Sequence, residues 1–165
     1  MNQMFSGCNA LEELDISTFD TSRVDRMNHM FQGCSSLKTL DVRHFDTSNA
    51  TDMSAMFSGC SLLEELDLSS FNTVKVEKMG AMFSSTTNLK KLNISTFDTS
   101  KVTNMSSMFS GTGVEQLDLR HFKTGSATTM YSMFSSTKNL KEVDVRYFDT
   151  SNVTTMASMF YETSA

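Results

Sequence analysis

Apolar and polar residues alternate along "LEELDLSSF" (63–71). Leu66 and Leu68 fall on one side, Asp67 and Ser69 on the other. A period of two predicts a short strand with one wet face. In "VTNMSSMFSGT" (102–112) the period changes. Val102, Met105, Met108 and Phe109 recur at steps of three and four. That spacing predicts one stripe of a helix about three turns long. Thr99 and Ser100 stand where they would cap its first amides, and Gly111 where it would end.

The two patterns recur together. A Met-Phe pair falls at 4–5, 30–31, 56–57, 82–83, 108–109, 133–134 and 159–160, a step of 26 residues with one step of 25 near Gly113. A fixed period of this size predicts an array of stacked units. The 165 residues therefore read as one repeat domain, 1–165, of about six 26-residue units, with strands near 11–17, 37–43, 63–69, 89–95, 114–120 and 140–146. A lone unit leaves one side of its apolar stripe wet. Ordering its backbone costs about 1–2 kcal/mol per residue, which only stacking against neighbours offsets. The expected fold is an α/β solenoid, with a parallel sheet on one face and short helices on the other. The alternative is a β-solenoid whose Met-Phe segments are strands or turns.

The charges support stacking in register. The residue after the first Leu of each strand runs Glu12, Lys38, Glu64, Lys90, Glu115, Lys141, alternating in sign. Parallel strands about 4.8 Å apart would set each beside opposite charges.

Composition adds limits. The 14 basic and 19 acidic residues leave a net charge of −5, against the basic excess of a nucleic-acid binder. No apolar run approaches the roughly 20 residues of a membrane span, so no membrane insertion is expected. The first residues, "MNQMFSGCNALEE", lack the charged and apolar regions of a signal peptide. All 14 Met and 13 Phe sit at repeat positions, beside Val, Leu and Ile at others, and read as core.

The frame L-x-x-L-x-L-x-x-F followed by M-F-x-G-C-S-S-L resembles the leucine-rich repeat. It is carried by "LEELDLSSF" (63–71), "FDTSNVTTM" (148–156) and "MFQGCSSLKTLDV" (30–42). The chain is most similar to the BspA-like branch, with its 26-residue bacterial surface-protein repeats of the DUF285 type. That resemblance implies a leucine-rich-repeat-like right-handed superhelix. It also implies an extracellular place on a bacterial cell surface, adhesion or protein binding, and no catalytic residues. Phe stands where many leucine-rich repeats carry Asn, so their asparagine ladder is absent.

Candidate chemistry is sparse. Cys8, Cys34 and Cys60 are 26 apart, with Thr86, Thr112, Thr137 and Thr163 in the matching places. With no C-x-x-C spacing they read as a buried column of small side chains rather than a metal or redox site. Thr21, Thr47, Thr73, Thr99, Thr124 and Thr150 recur without change and read as turn and capping residues. Asp20, Asp46, Asp98 and Asp149, with Asn72, precede that Thr and suit Asx turns. His29, His44 and His121 do not converge. No Ser/His/Asp set, phosphate loop or independent carboxylate pair appears, so neither enzyme activity, cofactor nor metal is expected.

The expected function is a binding module for a protein or glycan partner, with no nucleic acid. The outward strand residues form its face. These are the column Asp15, Asp41, Asp67, Asn93, Asp118 and Asp144, then Arg43, Arg120 and Arg146, with Glu13, Glu65, Lys91 and Glu142 beside them. Ser17, Ser69 and Ser95 leave three units without such an Arg. The alternative function is a structural spacer or self-assembling segment of a longer array. The chain starts and stops inside a unit, so end-to-end self-association is a further expectation.

Overall fold

Tight turns, not helices, account for the three-and-four spacing. Along Met27–Cys34 the amides point alternately inside and outside the unit. Met30, Gln32 and Cys34 donate back three residues, to Met27, His29 and Phe31. His29, Phe31 and Gly33 donate to the next unit, to the carbonyls of Ser54 (2.8 Å), Met56 (2.9 Å) and Ser58 (2.7 Å). The pattern recurs in the following units. Each second turn places a residue at positive φ, as a type II turn requires. Gly33 and Gly59 supply it at +72° and +74°, whereas His29, Ala55 and Ala81 adopt +52° to +58° with a side chain. Successive three-residue turns present apolar side chains at nearly the spacing of a helix, while leaving half the amides free to tie units together.

A computed structural model describes residues 1–163. It corrects the expected α/β solenoid and right-handed leucine-rich-repeat superhelix. Among the described residues there is no helix, and the strands are short: β1 Glu65–Asp67, β2 Lys91–Asn93, β3 Gln116–Leu117 and β4 Glu142–Val143. They form two separate two-stranded parallel sheets, β1 with β2 and β3 with β4. The segments 11–17 and 37–43 hold no strand. The physical reason lies in the bonding. Most unit-to-unit hydrogen bonds run through the turns, so the Leu-rich segments need only brief pairing.

The units nonetheless lie side by side, parallel and in register. Glu65 faces Lys91, Leu66 faces Leu92 and Asp67 faces Asn93. Gln116 faces Glu142, and Leu117 faces Val143. A second line of contact, one parallel bridge per step, joins Arg26, Asp52, Lys78, Asn104, Thr129 and Thr155.

Columns of equivalent side chains fill the interior. Phe5, Phe31, Phe57, Phe83, Phe109, Phe134 and Phe160 stack face to face, with neighbouring ring centroids 5.3–6.0 Å apart. The methionines from Met27 to Met133 are buried around them, as a core reading requires. At the corner of each unit Thr47, Thr73 and Thr99 are buried, and each hydroxyl bonds twice to the next unit. Thr73 Oγ1 donates to the Asp98 carbonyl (2.9 Å) and accepts the Asp98 N–H (2.8 Å). The expected capping role therefore falls, since there is no helix to cap. The column is an inter-unit ladder.

The short unit interrupts the sheet. β2 and β3 do not pair. Where a residue is missing, Gly113 donates to the Thr86 carbonyl at 3.0 Å. A Cβ there would lie 2.2 Å from the Thr87 carbonyl oxygen. His121 bridges the break, donating from Nε2 to the Ile94 carbonyl (3.0 Å).

Candidate functional site

The pleat of the Leu-rich segments turns every second side chain outward. Glu65 and Asp67 are exposed on either side of buried Leu66, and Lys91 and Asn93 flank Leu92 in the same way. The columns named from sequence thus share one exposed face, here called the strand-side face.

Its charges pair in two ways. Lysines reach to the preceding unit: Lys38 to Glu12 (3.1 Å), Lys90 to Glu64 (3.4 Å), Lys141 to Glu115 (2.6 Å), and Lys91 to Glu65. The alternating column therefore closes into separate pairs rather than a continuous chain. Arginines bind within their own unit by two-pronged contacts. Arg43 Nε and Nη2 meet the two oxygens of Asp41 at 3.0 and 2.8 Å. Arg120 holds Asp118 at 2.9 and 2.7 Å, and Arg146 holds Asp144 likewise.

The Asp column also works locally. Asp15, Asp41, Asp67, Asp118 and Asp144 each accept the backbone N–H two residues on. This shapes the turn that follows the segment. The arginine fork and that N–H together hold Asp41 and Asp118 well below the usual carboxylate range. They bring Asp144 down to about 2. Asp67 is lowered by its bonds from Ser69, with a further one from Asn93 Nδ2 at 2.9 Å. Hydrogen bonds from the backbone thus stabilise the stacked carboxylates. Among the described residues no group of three His, Cys, Asp or Glu side chains is placed to hold a metal ion.

Four shallow hollows lie on this face, between the units and along the outward columns. The floor of two of them includes Leu14, Leu40 and Leu92, which are only half-buried. Alternation alone assigns those leucines to the core.

A model of a Mycoplasma protein of unknown function, DUF285, matches residues 1–93 and again 86–165. The chain belongs to the DUF285 family. No curated protein and no solved structure matches it.

The other candidates in the DUF285 chain have structural roles. Cys34 and Cys60 are buried, and their thiols donate to the carbonyls of Phe5 (3.2 Å) and Phe31 (3.1 Å). Burial pushes the Cys34 thiol up to about 11 and Cys60 to about 12, so neither is a nucleophile near neutrality. Thr86 and Thr137 continue the column, donating to Phe83 and Phe134. Asp20, Asp46, Asp98 and Asp149 form the expected Asx turns. His44 does for Ile16 what His121 does for Ile94, at 2.8 Å. His29 sits apart, beside Asn28.

Proposed function

We propose that this DUF285 chain is a non-catalytic binding module of a bacterial surface protein, contacting a protein or glycan partner through its strand-side face. The observation that carries the reading is the regular array on that face. Charged side chains recur there at unit spacing above a backbone tied by inter-unit hydrogen bonds, and the surface hollows lie among them. Repeat arrays present such extended surfaces to partners because neighbouring units fix one another's side chains. The resemblance to BspA-like repeats supports the cell-surface setting. The net charge of −5 supports a partner other than nucleic acid.

The test is labelled protein on an array of extracellular-matrix proteins and glycans, beside the variant Glu65→Lys, Glu142→Lys. Both residues are exposed and neither bonds to backbone. Wild-type protein should bind at least one ligand, and the variant should change that affinity while its melting temperature falls by no more than about 4 °C, the scale of losing the exposed Glu65–Lys91 pair. Affinity that ignores the two substitutions, or no binding across the array, sinks the reading.

A structural spacer or self-assembling segment is the second reading. Apolar side chains exposed at the outer layers, Met4, Met156 and Phe160, support it. It predicts concentration-dependent association in sedimentation, abolished by Phe160→Ser. A monomer at all concentrations counts against it.

A further inference from the structure

Two of the hollows both have Glu65 and Asp67 in their linings and so adjoin; together they are here called the trough. Its floor is the half-buried Leu14, Leu40 and Leu92, with Leu66 buried beneath. It crosses from the unit of Leu14 to that of Gln116, four unit steps. At about 4.8 Å per step that is about 19 Å, the length of about six residues of extended polypeptide.

The rim decides what fits. The face carries seven cations and eleven carboxylates, an excess of four negative charges out of the chain's net −5. All seven cations are engaged in ion pairs across the face. Of the face's carboxylates, Glu13, Asp15, Asp67 and Glu142 have no cation among the described residues; Asp67 lines the trough, Glu13 and Asp15 flank Leu14 at its end, and Glu142 lies outside it. An anionic ligand would have to break existing pairs to find a positive charge. A cationic one would find carboxylates already free.

We propose that the trough takes an extended, lysine- or arginine-rich segment of a partner protein. Long basic side chains suit it doubly. Their methylene stems can lie on the leucine floor while their charged heads reach the rim carboxylates. This rests on the strand-side face being the binding surface and names the class of its occupant.

Labelled hexalysine, hexaglutamate and a Ser-Gly hexapeptide serve as probes, followed by fluorescence anisotropy at low and physiological ionic strength. Hexalysine should bind, more weakly as salt rises, and the other two should not. The variant Glu13→Gln, Asp15→Asn, Asp67→Asn should lose about tenfold in affinity. Its fold should survive, because Asn93 already accepts the Ser95 N–H as an aspartate would. Leu40→Ser should weaken hexalysine binding further at physiological salt, where the floor contributes most. Hexaglutamate binding as well as hexalysine, or an unchanged triple variant, overturns the cationic occupant. If the array ligand then proves anionic and binds the Glu65→Lys, Glu142→Lys protein more tightly, the face stands and only its occupant is wrong.

Discussion

At the scale of single residues, the threonine column shows why one side chain recurs unchanged. The position needs a group that donates to one backbone atom of the next unit and accepts from another, inside a buried corner. Thr73 meets both demands at 2.9 and 2.8 Å. Serine would keep the hydroxyl and lose a methyl. Valine would keep the shape and leave the carbonyl and amide of Asp98 without their partner. Thr73→Val should therefore cost about 1–3 kcal/mol, and Thr73→Ser about 1 kcal/mol. Urea unfolding midpoints measure the order, and a valine variant as stable as the serine one contradicts the ladder. The thiols offer a second check. Cys8 is exposed while Cys34 and Cys60 are buried. A thiol reagent at mildly alkaline pH should label one cysteine quickly in the native protein and three after denaturation. Rapid native labelling of all three would show that the column is open.

At the scale of elements, the Met-Phe segment explains how a helical spacing arises without a helix. A helix spends every interior amide on its own chain. A run of turns spends alternate amides on the neighbour, at the cost of residues held at positive φ. Glycine meets that cost at Gly33, Gly59 and Gly111, whereas Ser85 and Ser136 bear it at +59°. The short unit depends on glycine for a different reason, close approach. A methyl at Gly113 would meet the Thr87 carbonyl at 2.2 Å, whereas one at Gly7 would meet nothing within 4 Å. Gly113→Ala should destabilise by about 3 kcal/mol. Gly7→Ala, limited to its positive φ, should cost about 1 kcal/mol. Thermal melts of the two variants compare them directly, and equal losses would remove the role given to the missing residue.

At the scale of the whole molecule, stability is shared through the columns. Phe83 is stacked on both faces, at 6.0 Å from Phe57 and 5.7 Å from Phe109. Its loss should open a cavity worth about 3–5 kcal/mol. Acid should act on the whole array at once. The Asp15, Asp41, Asp67, Asp118 and Asp144 carboxylates titrate below their usual range when folded. Their contribution is present above the unfolded pKa, about 4, and is lost as pH falls through the lower folded values. The urea midpoint should hold steady from neutrality to about pH 5 and drop below about pH 4. Exposure keeps each share small, so the drop reflects the column rather than one residue. On the alkaline side Cys34 and Cys60, raised to about 11 and about 12, keep their contribution below the ordinary thiol pKa and lose it as pH rises towards those values. A midpoint that falls between pH 7 and 5 would contradict the assignment.

The repeat itself was legible in the residues. Its 26-residue step, the parallel register, the Met and Phe core, the small Cys/Thr column and the outward Asp and Arg columns all follow from which residues recur at which offset. Each such feature depends on side-chain identity, which a sequence states outright. The helix was misread because turns of three residues and helical turns of 3.6 place apolar side chains alike. Only backbone hydrogen bonds tell them apart, and Ala55 or Ser107 at positive φ gives no warning in its letter. Which lysine meets which glutamate, the half-buried leucine floor and the break at Gly113 were likewise decided by tertiary structure. They depend on how far one unit's backbone sits from the next, a distance set by packing across the stack and not by any residue within a single copy.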